Sequence, residues 1–142
     1  MVSLSVYITR VAPSLSSGGK MLVFDFFAGT GSSTRAFADA GDRVITFELD
    51  EQFDVTETVD IMTLTAPMLL ARHGRPDFVW ASPPCTAFSV ASISHHWTGG
   101  VGAYVPKTEA AELNQKLVWK TRELIAGLNP RKGYLIENPR GV

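Results

Sequence analysis

Two segments hold side chains whose types and spacing could do chemistry. Residues 82–89, Ser-Pro-Pro-Cys-Thr-Ala-Phe-Ser, place the chain's one cysteine, Cys85, directly after two prolines. Prolines restrict the backbone, and the polar neighbours Ser82, Thr86 and Ser89 favour a presented thiol over a buried one. Residues 24–31, Phe-Asp-Phe-Phe-Ala-Gly-Thr-Gly, read as a strand running into a glycine turn. Such a turn cradles a nucleotide-like cofactor, although Gly29 and Gly31 lack the third glycine of a full dinucleotide fingerprint, because position 34 is Thr. Glu48 stands about twenty residues further on, where an acid can accept hydrogen bonds from ribose hydroxyls. Asp60 could hold an adenine amino group or cap a turn. Glu137, in Leu-Ile-Glu-Asn-Pro, is costly to place beside a sheet unless something bonds it. A cofactor turn, a presented thiol and a late carboxylate together point to covalent catalysis on a bound substrate.

The elements that must position these groups follow from the apolar pattern. Met21–Phe26, Arg43–Phe47, Asp77–Ala81 and Gly133–Ile136 read as strands, with a weaker one near Val59. Ser32–Ala40 reads as a short helix ended by Gly41. Lys107–Leu128 is the longest helix, acidic at its start and basic later, with Leu113, Leu117, Leu124, Ile125 and Leu128 as its core-facing stripe. Strands alternating with helices imply a doubly wound, mostly parallel α/β sheet. Ligands then bind beyond the carboxyl ends of the strands, where the glycine turn, Glu48, Cys85 and Glu137 all fall. Residues 86–106 read as a long loop of functional kind, rich in Ser, His, Gly and aromatics. Residues 1–20 read as a poorly ordered leader with one short strand near Leu4–Ile8; residues 21–142 form the catalytic region.

Composition bounds the remaining possibilities. The chain has 142 residues, enough for one domain with its own core, and 45% of them are hydrophobic against 19% charged, which is globular. A single cysteine excludes an internal disulfide framework and fits a reducing compartment. Neither a signal peptide nor a membrane-spanning run is read, so a soluble, cytoplasmic protein is expected. The net charge of −1 divides into −5 over residues 1–70 and +4 over residues 71–142. A basic second half can face a phosphate backbone, or simply be scattered surface charge. His95, His96 and Cys85 have no recognised ligand spacing, so no metal is expected.

The order Phe-Ala-Gly-Thr-Gly, Glu48, Asp60, Pro-Pro-Cys and Glu-Asn resembles the cytosine-C5 DNA methyltransferases, above all the compact methylase-like proteins of bacteriophages. The resemblance spans about residues 21–141, and Ser82-Pro83-Pro84-Cys85-x-x-Phe88-Ser89 is its most specific element. It implies the Rossmann-like fold of S-adenosylmethionine-dependent methyltransferases, DNA as partner and restriction–modification as a setting. Phe27, Ala28, Gly29, Thr30 and Gly31 would wrap S-adenosyl-L-methionine, with Glu48 at its ribose, Asp60 at its adenine and Pro83 alongside. Cys85 would add to C6 of a flipped cytosine, while Glu137, with Asn138, would hold the base edge. The 86–106 loop, with Trp97 and Tyr104, would close over DNA as a lid.

The departures are specific too. Family members continue past the Glu-Asn element with an arginine-bearing motif, a target-recognition region and a helix completing the cofactor pocket. None of these is found before Val142, so the fold is expected to be incomplete at its C-terminal end and a second chain could supply target recognition. Two other functions fit: a truncated or split non-catalytic module that binds cofactor or nucleic acid, and an RNA cytosine-C5 methyltransferase.

Overall fold

A computed structural model describes residues 4–9, 19–89, 91–100 and 103–139. Its elements run in the order β1 (Leu4–Thr9), β2 (Leu22–Phe26), α1 (Arg35–Asp39), β3 (Arg43–Glu48), β4 (Glu57–Thr58), a 3-10 turn (Ile61–Thr63), α2 (Ala66–His73), β5 (Phe78–Ala81), α3 (Ile93–His96), β6 (Trp97–Thr98), β7 (Val105–Pro106), α4 (Glu109–Leu128) and β8 (Gly133–Pro139). Six strands form one sheet in the order β1-β8-β5-β2-β3-β4, while β6 and β7 pair separately. The run from β8 to β4 is parallel throughout, and only β1 is antiparallel. This is the mostly parallel α/β, Rossmann-like architecture that the alternation of elements predicts.

From β2 the chain winds outward through β3 to β4, then returns to lay β5 on the other side of β2. The order therefore reverses between β2 and β5, and a crevice opens there at the strands' carboxyl ends. Register makes those ends level: Phe47 pairs with Phe26, Phe26 with Ala81, and Ala81 with Ile136. One residue beyond that row stand Glu48, Phe27, Ser82 and Glu137. Neighbouring strands lie roughly 4.8 Å apart, so Glu48 and Glu137, three strands apart, are separated by about 14 Å across the top of the sheet.

One face of the sheet builds the main core. Phe24, Phe26, Ile45, Phe47, Val79 and Ala81 pack against Leu69 of α2 and Leu124, Ile125 and Leu128 of α4. Both helices are capped by a threonine, Thr65 and Thr108, whose hydroxyls accept the Met68 and Ala111 N–H groups. The stripe of α4 differs from the expected one at its start. Leu113 is exposed, and Ala111 and Asn114 face inward instead. The small and polar residues are selected there because the amino-terminal half of α4 packs on the 85–105 segment, not on the sheet.

That segment is structured, with α3, β6 and β7. Phe88 stacks on Trp97 at 5.4 Å between ring centres, and the Trp97 indole N–H donates to the Ala87 carbonyl at 2.6 Å. Trp97 is 4% exposed and joins Ala87, Phe88 and Ala111 in a second small core, with Cys85 and Tyr104 at its margin. A Trp97 side chain reaching over DNA, as the lid reading expects, is therefore replaced by one that anchors the loop to α4. Burying so large a ring outweighs leaving it in water by roughly 2–3 kcal/mol. Among the described residues no helix is long and apolar enough to cross a membrane.

Candidate active site

The glycine turn is built from backbone strain. Phe27, Gly29 and Gly31 all take positive φ, at 63°, 51° and 70°. For the two glycines this is free of steric cost, but for Phe27 it costs on the order of 1–3 kcal/mol. The fold holds it there: Ala28 N–H donates to the Phe47 carbonyl at 3.1 Å, and Gly31 N–H to the Ala28 carbonyl at 2.8 Å. Among the described residues, nothing beyond the chain neighbours lies within 4 Å of where a side chain would begin on Gly29 or Gly31, so the space above the turn is open.

Glu48, at the end of β3, is tied to that turn. One carboxylate oxygen accepts the Gly29 N–H at 2.9 Å, and the other accepts the N–H of Leu49 at 2.8 Å and of Asp50 at 3.3 Å. Its first role is to clamp two loops together, which the ribose reading does not anticipate. Each oxygen has two lone-pair directions, so acceptor capacity toward a ligand remains. Asp60 caps the 3-10 turn by accepting the Met62 N–H at 2.9 Å. Leu49 and Met62, next to these two acids, are unusually exposed for apolar side chains, at 64% and 42%.

Asp25 goes unnoticed when Met21–Phe26 is read as an apolar run. It points to the α1 side of the sheet, is 1% exposed, and accepts the Thr34 hydroxyl at 2.6 Å. Its other oxygen, Oδ1, has no partner. Burial raises its pKa from 3.8 to about 6, opposed by the Thr34 hydrogen bond and reinforced by the charge of Glu48. A buried carboxyl with an unpaired oxygen beneath a ligand turn is expensive, and nothing in the packing of the core requires it.

On the other side of the crevice, β5 runs directly into Ser82, Pro83, Pro84 and Cys85. Ser82 N–H donates to the Phe26 carbonyl at 3.1 Å, which stitches the thiol loop to the strand that carries the glycine turn. Pro83 is buried and Pro84 exposed, so the pair forms a step over which Cys85 is half-exposed. The loop then turns back, with Phe88 N–H donating to the Cys85 carbonyl at 2.9 Å. Burial raises the Cys85 thiol pKa and the negative charge of Glu137 raises it further, against a lowering hydrogen bond from its own backbone. The carboxylate of β8 and the thiol after β5 are thus within electrostatic reach. Beside Glu137, the Asn138 side-chain oxygen is buried and unpartnered.

The fold thus brings Phe27–Gly31, Glu48, Pro83, Cys85, Glu137 and Asn138 to one end of the sheet, with Asp60 beyond β4. His96, weighed above as a metal ligand, instead bonds through Nδ1 to the Thr108 hydroxyl that caps α4, at 2.7 Å. Among the described residues, no group of three His, Cys, Asp or Glu side chains could hold a metal ion.

An α/β Rossmann-like domain with its polar groups gathered at the switch point is the class that fold and site define. Over 120 residues the chain is 32% identical to a probable DNA (cytosine-5)-methyltransferase of Frog virus 3 (isolate Goorha), a match covering 84% of this chain and 54% of that protein. The chain spans about half the length of the curated relative it matches. No protein-family model matches it.

Proposed function

We propose that this chain is the cofactor and nucleophile portion of a DNA cytosine-C5 methyltransferase. The observation that carries the reading is the pairing of Cys85 with Glu137. The only thiol follows β5, the carboxylate stands on the adjacent parallel strand β8 just past its last pair with β5, and its charge reaches the thiol, next to a strained glycine turn. The similarity to the viral relative supports the same class.

The residues at the cofactor end fit S-adenosyl-L-methionine by their chemistry. The unpaired Asp25 oxygen suits an ammonium group, and the one acceptor direction left on the Glu48 oxygen that holds Gly29 suits a ribose hydroxyl. The exposed Leu49 and Met62 offer an apolar surface for a purine, with Asp60 at its edge. Phe27, Ala28 and Thr30 shape the open turn, and Pro83 walls it on the β5 side. When bound, this cofactor supplies an electrophilic methyl group.

The chain's own residues do the rest. The target cytosine must leave the stack, since a thiol cannot reach C6 inside a duplex. The Cys85 Sγ then adds to C6, and the C5–C6 electron pair makes C5 a carbon nucleophile. After C5 is methylated, a base removes its proton and the Sγ–C6 bond breaks, restoring the ring and the thiolate. Glu137 steadies N3 and the exocyclic amine of the base, with Asn138 beside it. The same carboxylate that opposes the thiolate while charged stops doing so once it shares a proton with N3. Seating the base therefore helps to ionise the nucleophile, which restrains the thiol until substrate arrives.

The test is covalent trapping. Duplex DNA with 5-fluorocytosine at the target position, incubated with the chain and S-adenosylmethionine, should give a denaturant-resistant complex that Cys85→Ser abolishes. Supplying the same base in RNA discriminates the RNA reading. Cofactor binding without any adduct on either polymer would leave the non-catalytic module.

A further inference from the structure

The pairing of β8 is lopsided where it matters. On its inner side, β5 accompanies it only from Gly133 to Ile136. On its outer side β1 continues through Glu137, Asn138 and Pro139, opposite Val6, Ser5 and Leu4. Among the described residues, the backbone beyond Glu137 therefore has a ladder partner on the outer side only, and that partner comes from the other end of the chain.

We propose that β1 is a positioning strand, which holds Glu137 at the thiol by pairing with the last three residues of β8. This rests on the reading of Glu137 as the base-holding carboxyl. If β1 leaves, Asn138 and Pro139 lose their ladder partner and Glu137 keeps only what its N–H can give to the end of β5, so the conformational freedom of this end returns. The cofactor end lies on β2, β3 and β4, separated from β1 by β8 and β5, so it is insulated from that loss. The amino-terminal strand thus acts on one half of the site alone.

Alternate residues of an antiparallel edge strand point their N–H at the partner, so just one of the neighbours Ser5 and Val6 donates to β8. Proline at that position removes the bond, whereas proline at the other faces outward and is tolerated. The readout is the pH profile of Cys85 alkylation by iodoacetamide in the 142-residue chain, unambiguous because Cys85 is its only cysteine. It is independent of turnover, so it stands even if the chain traps no DNA, a result that would sink the proposed function and not the strand's role.

The result expected is that one of Ser5→Pro and Val6→Pro lowers the alkylation midpoint by as much as Glu137→Gln does, and adds nothing when combined with Glu137→Gln. The other proline leaves the profile as in the wild type, and both variants keep their S-adenosylmethionine affinity within about twofold. Ser5→Gly and Val6→Gly, which weaken the strand without removing an N–H, shift the midpoint less in the same direction and serve if a proline variant does not fold. Unchanged profiles in all four variants would overturn the proposal. So would a shift that persists on top of Glu137→Gln, or loss of cofactor binding in parallel with the shift.

Discussion

The two halves of the site are finished to different degrees. At the cofactor end, Glu48 has both oxygens occupied by three backbone N–H groups, Asp60 caps its turn, and the strained Phe27 is locked by the bonds that follow it. At the base end, the Cys85 thiol is held away from ionisation, Asn138 has an unpaired buried oxygen, and among the described residues the backbone beyond Glu137 is paired on one side only. A site that binds its cofactor first has reason to be built this way. Under the proposed function, the end that would recognise a small molecule is preorganised, and the end that would receive an extruded base keeps its polar groups unspent until a base supplies their partners. Asp25 is the exception among the described residues of the cofactor end, a buried carboxyl with one oxygen unpartnered.

The comparison breaks most visibly at Cys85. Cys85→Ser should lower covalent trapping and methyl transfer by about 10³-fold or more, as loss of a nucleophile does, while leaving S-adenosylmethionine affinity unchanged by calorimetry. Loss of cofactor binding in the same variant would show that the two ends are not separable.

Asp25→Asn should sharpen the comparison by trading binding for stability. Holding the carboxyl at about 6 in place of its ordinary 3.8 costs roughly 3 kcal/mol at neutral pH. The sign is that of a raised acid: the folded chain binds the extra proton, so stability is fullest below 3.8 and is lost as pH rises through about 6. The amide still accepts from Thr34 but never ionises. Thermal melts should therefore show the Asp25→Asn variant more stable than wild type at pH 7, nearly equal at pH 4, and with the pH slope between them removed. Affinity for S-adenosylmethionine should fall in the same variant, since the unpaired charge is what the ammonium would meet.

Glu48→Ala removes a charged acceptor from three backbone donors, two of them in its own following turn. Each bond to a charged group contributes about 1.5–3 kcal/mol, and solvent can replace those of the exposed Leu49 and Asp50. The expected loss is therefore that of the Gly29 bond together with the acceptor offered to the ribose, roughly 100-fold or more in cofactor affinity. Cys85 alkylation should be untouched. A change there would mean that the glycine turn and the thiol loop are coupled through the Ser82–Phe26 bond.

How much of this is legible in the sequence follows from the range over which each feature is determined. Strand periodicity, the glycine turn and the acids at strand ends are local, and the structure finds β2, β3, β5, α4 and β8 where the pattern puts them, β8 running three residues longer. Asp25 escapes such a reading because its meaning depends on which face of β2 the short helix α1 covers, and its partner Thr34 lies nine residues away. The strand near Leu4–Ile8 is legible, but its pairing with β8 joins opposite ends of the described chain, and no local signal encodes that. Trp97 misleads because an aromatic in a Ser- and Gly-rich stretch looks like a contact for a ligand. Only the placement of Phe88 and Ala111 shows that it has a core of its own. Asp60 and Pro83 stand where a cofactor could meet them, yet their geometry is also that of an ordinary cap and an ordinary buried proline.

The smallest effect is the most diagnostic for the base end. Glu137→Gln removes a negative charge facing Cys85 while keeping a hydrogen-bonding group of the same shape. Less opposition to the thiolate must lower the thiol pKa, so iodoacetamide alkylation of Cys85 should reach half-maximal rate at a lower pH than in the wild type. Burial is the larger cause of the raised thiol and is unaffected by the substitution. The midpoint should accordingly fall only part of the way and stay above the ordinary thiol value of 9.0. A midpoint that drops to or below that value would make the Glu137 charge, not the loop's packing, the main restraint on the nucleophile. A midpoint that does not move would separate the carboxylate from the thiol, and with it the base-holding role from the covalent one.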